Sequence, residues 1–381
     1  MKKCIICHDQ FASDFLEICV NCIRKNSKEI NQFIEEKYKK SRIQLNLPIS
    51  APKSSDGIPC ILCEYKCKIG KTEVSYCGIR KNINGKLIGP TRSYGYLHAY
   101  FDLNPTNCCA SWFCPAGTGC GYPKYSYSKF GEKNTYNYSV FFYGCSFNCL
   151  YCQNYSHKLE LNQIPLTNIE IYEIKALHQN NACICYFGGS PEPHFPFALN
   201  LSKKVLEKAE KQNRIMRICW ELNGCGNSIL VEKAANISLQ SGGNIKFDLK
   251  AFDYNVAKAL LGIEKNILNK VYENFKLVSK LINKRPESPL LTACTLMVPY
   301  YVDSIEVDKI AKSISEINNE IPFSLLIFHP CFFLNDLPIT PLKQVIECYK
   351  AAKKYLKRVN IGNLHLLGLN EQKFNEFINS Y

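Results

Sequence analysis

The sequence lacks any apolar run close to the ~20 residues that a membrane-spanning helix needs. Its first residues, from Met1 to Cys4, lead into no apolar segment of the kind found in secretory signal peptides. We therefore expect a protein with no membrane association and a cytoplasmic location.

Acidic residues are scarce relative to basic ones. The chain has 33 Asp and Glu against 47 Lys and Arg, which gives a formal net charge of +14. Such a surplus allows an RNA or an acidic protein as a partner. Much of it is scattered lysine, as at Lys203-Lys204, and no aromatic RNA-binding signature accompanies it. A solvated surface is therefore the favoured interpretation.

Cysteine, in contrast, is abundant, with 22 among 381 residues. In a cytoplasmic protein this number favours metal ligands over disulfides. The length is sufficient for a sizeable core and for more than one domain. We expect a zinc-ribbon candidate with a basic helix at 1–45, a cysteine-rich region at 46–137 and a partial barrel at 138–381.

Three cysteines lie within eight residues at Cys145, Cys149 and Cys152. The run before them, 139–143, is β-branched and aromatic and predicts a buried strand, after which Gly144 permits a turn. Three thiolates on such a loop can hold three corners of an iron–sulfur cube and leave one iron open to a small molecule. A zinc knuckle or a plain ferredoxin loop is the alternative.

This loop resembles the signature of the radical S-adenosylmethionine (SAM) superfamily. The resemblance implies a [4Fe-4S] cluster at Cys145, Cys149 and Cys152, with SAM bound to the open iron and Tyr151 beside the adenine. It further implies a 5′-deoxyadenosyl radical as the reactive species and a reductant such as flavodoxin or ferredoxin.

Strand-like and helical segments alternate from about residue 138 onward. The expected strands are 140–143, 183–187, 216–221, 245–249, 290–298 and 324–328. Such alternation predicts a parallel sheet with right-handed crossovers. Six units indicate an α/β fold with an incomplete TIM-like (β/α)6 barrel, which is the radical SAM core.

Further motifs stand at the ends of these strands, where chemistry gathers in such barrels. The pair Gly188-Gly189 lets the backbone approach a ligand closely. It resembles the family's glycine motif, which receives the methionine amine of SAM. Glu221 and Asn223 resemble an element of activating enzymes. Glu221 is a candidate for contact with the SAM ribose or a nearby cation, and Asn223 is a candidate for ordering the loop; an Asn-Gly turn is the alternative.

Asp248 and Lys250 are predicted to share one face at the end of the fourth strand. The resemblance places them at the mouth of the active site, where a cation can meet the SAM carboxylate or an acidic substrate. A structural ion pair is the alternative. His329 aligns with the histidine that faces SAM after the last barrel strand of activating enzymes, and a structural histidine is the alternative.

Two sets of four cysteines precede the barrel. The spacing of Cys4, Cys7, Cys19 and Cys22 suits a tetrahedral zinc site, with an iron–sulfur site as the alternative. The second set is Cys60, Cys63, Cys67 and Cys77. It resembles the N-terminal segment of radical SAM enzymes associated with Memo and AMMECR1 proteins. An auxiliary iron–sulfur cluster, zinc or simple packing is possible there.

The stretch that contains Cys108, Cys109, Cys114 and Cys120 departs from that resemblance. Its cysteines belong either to an auxiliary cluster or to the packing, and the sequence leaves their role open. The strand cysteines, among them Cys219 and Cys294, are expected in the core.

These features together predict a radical SAM enzyme of the activating-enzyme-like branch, which abstracts hydrogen from a macromolecular partner. A glycyl radical enzyme, as in the pair formed by pyruvate formate-lyase and its activating enzyme, is the first choice of partner. A radical SAM enzyme that modifies RNA or protein is the alternative. A non-enzymatic, metal-dependent scaffold or sensor is the third hypothesis.

Overall fold

The computed structural model of the protein describes residues 1–106 and 108–380, and its N-terminal part consists of short hairpins and two helices. In chain order these elements are β1 (Lys2–Lys3), β2 (Phe11–Ala12), α1 (Val20–Lys25), α2 (Lys28–Gln44), β3 (Ile58–Pro59), β4 (Lys68–Ile69), β5 (Lys81–Ile83), β6 (Lys86–Ile88) and β7 (Tyr94–Gly95). β1 pairs with β2, β3 with β4 and β5 with β6, all antiparallel. Isolated two-stranded hairpins are marginally stable, so this part depends on packing against the rest of the chain.

The rest of the chain forms an α/β body. Its elements are β8 (Leu97–Leu103), α3 (Pro115–Thr118), β9 (Tyr136–Phe142), α4 (Ser156–Leu159), β10 (Thr167–Asn168), α5 (Ile169–Ala176), β11 (Asn181–Gly188), α6 (Phe195–Lys211), β12 (Arg217–Leu222), α7 (Ser228–Ser241), β13 (Ile245–Asp248), α8 (Tyr254–Leu261), α9 (Lys265–Ser279), β14 (Leu291–Met297), α10 (Ser304–Ser315), β15 (Phe323–Ile327), α11 (Leu342–Lys353), β16 (Val359–Gly362) and α12 (Glu371–Ser380). Within the described ranges, no helix is long and apolar enough to cross a membrane.

The main sheet has eight strands in the order β16-β15-β14-β13-β12-β11-β9-β8. All neighbours from β9 to β16 are parallel, and β8 is antiparallel to β9 at one edge. The expected parallel α/β arrangement is confirmed and is consistent with a partial barrel. The sequence-based prediction missed β8 and β16. It missed β16 because this strand contains asparagine and glycine, which have low strand propensity.

Alternation along the strands separates a packed face from an open one. Trp220 of β12 lies 6.0 Å from the ring of Phe195 in α6, and Phe247 of β13 lies 5.4 Å from Phe275 in α9. Cys219, adjacent to Trp220, instead lines an interior cavity. The strand cysteines expected in an apolar core therefore lie on the inner surface, which leaves space for ligands.

A segment that we call the plug, residues 108–121, covers the amino-terminal ends of the strands. Trp112 Nε1 donates to Ser324 Oγ, near the start of β15, at 3.0 Å. The Arg358 guanidinium, immediately before β16, lies 5.7 Å from the centroid of the Trp112 ring. The plug is thus fastened to the amino-terminal ends of the strands. The barrel interior contains two cavities, and Cys108 and Cys109 of the plug line both of them.

The N-terminal part packs against the same body. Arg24 of α1 donates two hydrogen bonds, of 2.8 and 2.7 Å, to Asp303 before α10. The Tyr38 hydroxyl of α2 donates to the carbonyl of Ala259 in α8 at 3.2 Å. Apolar side chains of both parts belong to one hydrophobic core. The three-part division of the chain stays a prediction, although β8 from the middle part joins the main sheet.

A buried ion pair fixes the segment after the plug to the sheet. Arg217 of β12 donates two hydrogen bonds, of 2.6 and 2.7 Å, to the Glu132 carboxylate. Glu132 also accepts from the Tyr127 backbone N–H at 3.0 Å and from the Thr135 hydroxyl at 2.8 Å. Burial opposes the ionisation of Glu132, but Arg217 and these donors hold its pKa below the usual value.

We predict that Glu132→Ala lowers the free energy of unfolding by about 3–5 kcal/mol, because it leaves the Arg217 guanidinium buried without its partner. The matched control is Glu320→Ala, which breaks an exposed pair with Lys357 and should cost less than about 1 kcal/mol. Anaerobic denaturant titration measures both. Equal, small effects would contradict the structural role of the buried pair.

Candidate functional site

A cavity of about 580 Å³ opens at the carboxyl ends of the parallel strands. Its lining contains every residue that the sequence predicted for the cluster and for SAM. These are Cys145, Cys149, Tyr151, Cys152, Gly188, Gly189, Glu221, Asn223, Asp248, Lys250 and His329. Parallel strands bring their carboxyl ends to one edge of the sheet, which explains the convergence.

The loop with the three cysteines follows β9 through Gly144, whose φ of +82° lies in the region that favours glycine. Its backbone is tied to the end of α8. The Asn148 N–H donates to the Leu261 carbonyl at 3.1 Å, and the Leu150 N–H donates to the Leu260 carbonyl at 3.0 Å. The loop therefore holds its thiols in place through backbone bonds.

Burial controls the ionisation of the three thiols. It raises the pKa of Cys145 to about 11 and that of Cys149 to about 12, and it also raises the pKa of Cys152. Lys158 opposes this effect on the pKa of Cys145, and Lys250 opposes it on the pKa of Cys149. The thiols stay protonated at neutral pH unless a metal supplies further positive charge.

Two side chains contact the sulfur atoms directly. Asn223 Nδ2 donates to Cys145 Sγ at 3.1 Å. His157 Nε2 lies 3.5 Å from Cys152 Sγ. Burial lowers the pKa of His157 well below its usual value, so the ring is neutral. The sequence pointed to Asn223 but not to His157, since no motif marks the short helix α4.

Lys158, also in α4, is a second residue that sequence reasoning missed. Its ammonium donates to the Phe147 carbonyl at 2.9 Å and to Asn148 Oδ1 at 3.1 Å. Burial lowers the pKa of Lys158, while the neighbouring thiols raise it. This buried cation supports the loop from within and offsets the negative charge of thiolates.

The residues present fit an iron–sulfur cluster with one open corner. The loop offers three thiols, one fewer than a cube binds when it is fully ligated by cysteine. The Tyr151 hydroxyl is buried and has no hydrogen-bond partner among the described residues. A buried hydroxyl of this kind is normally satisfied by a ligand or by water.

Gly188 and Gly189 let β11 lie directly against the cysteine loop. A Cβ on Gly189 would lie 2.2 Å from the Gly144 carbonyl oxygen, and one on Gly188 would lie 2.7 Å from the Phe142 nitrogen. The Gly189 N–H also donates to the Phe142 carbonyl at 2.8 Å. We expected these glycines to admit a ligand; in the structure they are also required for contact between the two loops.

Four alternating charges cross the cavity wall. Lys250 Nζ lies 2.6 Å from Asp248 Oδ2, and Lys246 Nζ lies 3.2 Å from Asp248 Oδ1 and 2.9 Å from Glu221 Oε2. Burial would raise the pKa of Asp248, but the two lysines hold it at about 2. Lys246 was missed, although the alternation that selected Asp248 and Lys250 extends to it.

The last strands complete the cavity. His329 Nδ1 lies 3.2 Å from the Pro330 carbonyl oxygen, and Gln153 Nε2 donates to the His329 carbonyl at 3.4 Å. Asn363 and His365, which follow β16, line the same cavity. The roles expected for these residues, and for Glu221, Asp248 and Lys250, stay predictions.

The first N-terminal set of cysteines forms a compact group. The sulfur atoms of Cys4, Cys7, Cys19 and Cys22 all lie within 4.8 Å of one another. Cys7 Sγ and Cys19 Sγ are 3.7 Å apart, and the Cys19 N–H donates to Cys4 Sγ at 3.3 Å. A tetrahedral ion with Zn–S bonds of ~2.3 Å separates its sulfurs by about 3.8 Å. The group is therefore arranged for one ion.

The second N-terminal set lacks this compactness. In the part of the chain that the structure describes, no three of the sulfurs of Cys60, Cys63, Cys67 and Cys77 all lie within 4.8 Å of one another. The Cys63 backbone instead forms a bridge to that of Gly226. This spacing does not suit a single zinc ion, and an auxiliary cluster stays a prediction.

Comparison with known proteins agrees with this site. Residues 139–304 match the family model described as the radical SAM superfamily, and this range includes the cysteine loop and Asp248. The protein named "Uncharacterized protein MJ0808" from Methanocaldococcus jannaschii is 27% identical over 315 residues, which is 81% of each chain.

Solved structures show weaker similarity. Streptococcus suis SuiB bound to the precursor peptide SuiA has a TM-score of 0.42 at 11% identity, over 58% of this chain and 47% of that one. TYW1 with a lysine-pyruvate adduct has a TM-score of 0.42 at 12% identity, over 67% and 80%. anSMEcpe with bound AdoMet and a Cp18Cys peptide has a TM-score of 0.40 at 15% identity, over 60% and 64%. The matched region thus spans about half of the SuiB chain, and no activity follows from similarities of this size.

We predict that Gly189→Ala reduces the iron bound per chain, because the added Cβ meets the Gly144 carbonyl and displaces the loop that begins at Cys145. The control is Gly85→Asn in the β5–β6 hairpin. A Cβ there has nothing within 4 Å, and asparagine tolerates its φ of +78°. Iron analysis after anaerobic reconstitution measures both variants. Equal iron in the two would show that the glycine contact is dispensable.

Proposed function

We propose that this radical SAM superfamily enzyme cleaves SAM reductively at a [4Fe-4S] cluster on Cys145, Cys149 and Cys152, and that it abstracts hydrogen from a macromolecule. The supporting observation is one cavity that contains the three thiols, the paired glycines and the charged strand ends. When bound, the cluster and SAM supply the electron and the 5′-deoxyadenosyl radical that this chemistry requires.

Different residues of the chain would hold the cluster and SAM. Asn223 donates to Cys145 Sγ and would stabilise charge on that sulfur. Lys158 places a buried cation beside the loop. Tyr151 offers a buried hydroxyl that finds no partner in the described part of the chain, and we assign it to the nucleoside side of the cavity, together with His329.

The charged wall would orient the polar groups of SAM or of the substrate. Asp248 is held ionised between Lys246 and Lys250. Because each lysine already has a carboxylate partner, the wall carries balanced charge and does not attract anions by itself. Lys250 can still donate a further hydrogen bond to a carboxylate, since an ammonium has three donors. We therefore assign Lys250 the role of orienting a carboxylate of SAM or of the substrate at the mouth of the cavity.

A glycyl radical enzyme is the first candidate for the macromolecular substrate. This choice depends on the resemblance of the cysteine loop and the strand-end motifs to activating enzymes. A protein- or RNA-modifying enzyme is the second candidate. It is favoured by the net charge of +14, because basic proteins attract acidic partners, and by the compact site at Cys4, Cys7, Cys19 and Cys22. We propose zinc for that site, and flavodoxin or ferredoxin as the electron donor.

We predict that replacing Cys145, Cys149 and Cys152 together by alanine removes about four irons per chain, as expected for one cube, and abolishes SAM cleavage. The control is Cys348→Ala, which removes a buried thiol of α11 and should leave both properties intact. Iron analysis and chromatography of 5′-deoxyadenosine report the outcome. Retention of iron and of cleavage in the triple variant would refute the proposed function.

We predict that the abstracted hydrogen comes from a macromolecule. The enzyme, SAM and reductant would be incubated with separate deuterated fractions of protein, RNA and small molecules from the host cell. Deuterium in 5′-deoxyadenosine should appear with the protein fraction. Label from RNA alone would favour the second candidate, whereas label from small molecules alone would exclude a macromolecular substrate.

A further inference from the structure

The plug brings two neighbouring thiols to a carboxylate of the sheet. The sulfurs of Cys108 and Cys109 and a carboxylate oxygen of Glu221 lie within 4.8 Å of one another. Cys108 Sγ is 3.9 Å from Glu221 Oε1. These three residues line both the large cavity and an adjoining cavity of about 170 Å³. The group therefore lies inside the barrel, where the plug meets the site described above.

Cys294, in the middle of β14, lines the large cavity as well. Its sulfur is not one of the ligand atoms that lie within 4.8 Å of one another. The donors of the group therefore come from two separate segments, the plug and β12.

The two oxygens of Glu221 face different partners. Oε2 is 2.9 Å from Lys246 Nζ, whereas Oε1 is the oxygen nearest to Cys108. A lysine that holds one carboxylate oxygen fixes the orientation of the other, as second-shell partners do at metal sites. Of the two partners expected for Glu221 from the sequence, the SAM ribose or a nearby cation, this geometry favours a cation at Oε1.

The plug is anchored so that both adjacent thiols point inward. The Cys109 carbonyl accepts from Trp112 Nε1 at 3.0 Å and from Ser324 Oγ at 2.8 Å. The Ser111 N–H donates to the Cys108 carbonyl at 3.0 Å. A binding site needs this kind of support, because unsupported loops hold ligands too loosely.

We propose that Cys108, Cys109 and Glu221 bind one thiophilic divalent ion, with zinc as the first candidate. Two thiolates and one carboxylate are donors that zinc accepts in proteins. The spacing supports one ion, because a single zinc separates its ligand atoms by about 3.8 Å, whereas a cube binds each thiolate to a different iron. Three protein ligands leave the fourth position of a tetrahedral ion to water or another small ligand, and the ion would fasten the plug to β12.

The test is metal content per chain in the double variant Cys108→Ser, Cys109→Ser, prepared as the full chain under anaerobic conditions. We expect the loss of one divalent ion, with the iron per chain unchanged. The matched control is Cys120→Ser in the same plug. Cys120 Sγ lies 3.1 Å from the Phe113 carbonyl oxygen, a contact that a serine hydroxyl can replace, so this variant should keep every ion.

A second variant guards against misfolding of the plug. Glu221→Ala alters only a side chain of β12, and it should also lose one ion while its circular dichroism stays native. Loss of about four irons in the double variant with SAM cleavage retained would indicate a second cluster at this position and overturn the proposal, as would unchanged metal content in both variants. SAM cleavage by the double variant reports separately on Cys145, Cys149 and Cys152, so failure here is distinguishable from failure of the proposed function.

Discussion

The contact between Gly144 and Gly189 is the constraint on which the rest of the site depends. A Cβ at Gly189 would lie 2.2 Å from the Gly144 carbonyl oxygen, so only glycine allows the end of β11 to meet the start of the cysteine loop. Because backbone atoms cannot yield as side chains do, this contact sets the distance between the loop and the neighbouring strand ends. The thiols, Asn223 and the charged wall then face one cavity.

The interior of the barrel differs from an apolar core. Its strands present thiols, carboxylates and lysines inward, and the aromatic side chains point toward the helices. Such an interior is stable only if its charges are compensated, since an unpaired buried charge is costly. Lys246 provides this compensation, because it lies between Glu221 and Asp248. Because Lys246 pairs with Glu221 Oε2, the other oxygen, Oε1, is directed at the thiols of the plug.

The distances between sulfur atoms distinguish the cysteine sets that suit a single metal ion from those that do not. The group at Cys4, Cys7, Cys19 and Cys22 and the group of Cys108, Cys109 and Glu221 are compact enough for one ion. The loop at 145–152 and the second N-terminal set do not form such compact groups within the described residues. A protein with many cysteines can thus hold chemically distinct centres, because each centre is defined by the distances between its thiols.

Local features of the sequence were sufficient to predict the cysteine loop, six of the strands and the motifs at the ends of those strands. A turn after a strand, period-two alternation and the convergence of parallel strands are properties of short segments and of one topology. The sequence could not place the plug, Lys158 or His157, and it missed β8 and β16. Cys108 meets Glu221 across 113 positions, and such a contact depends on how the whole chain closes. Only the tertiary structure therefore decided which thiols stand together, because ligand spacing depends on packing between distant segments.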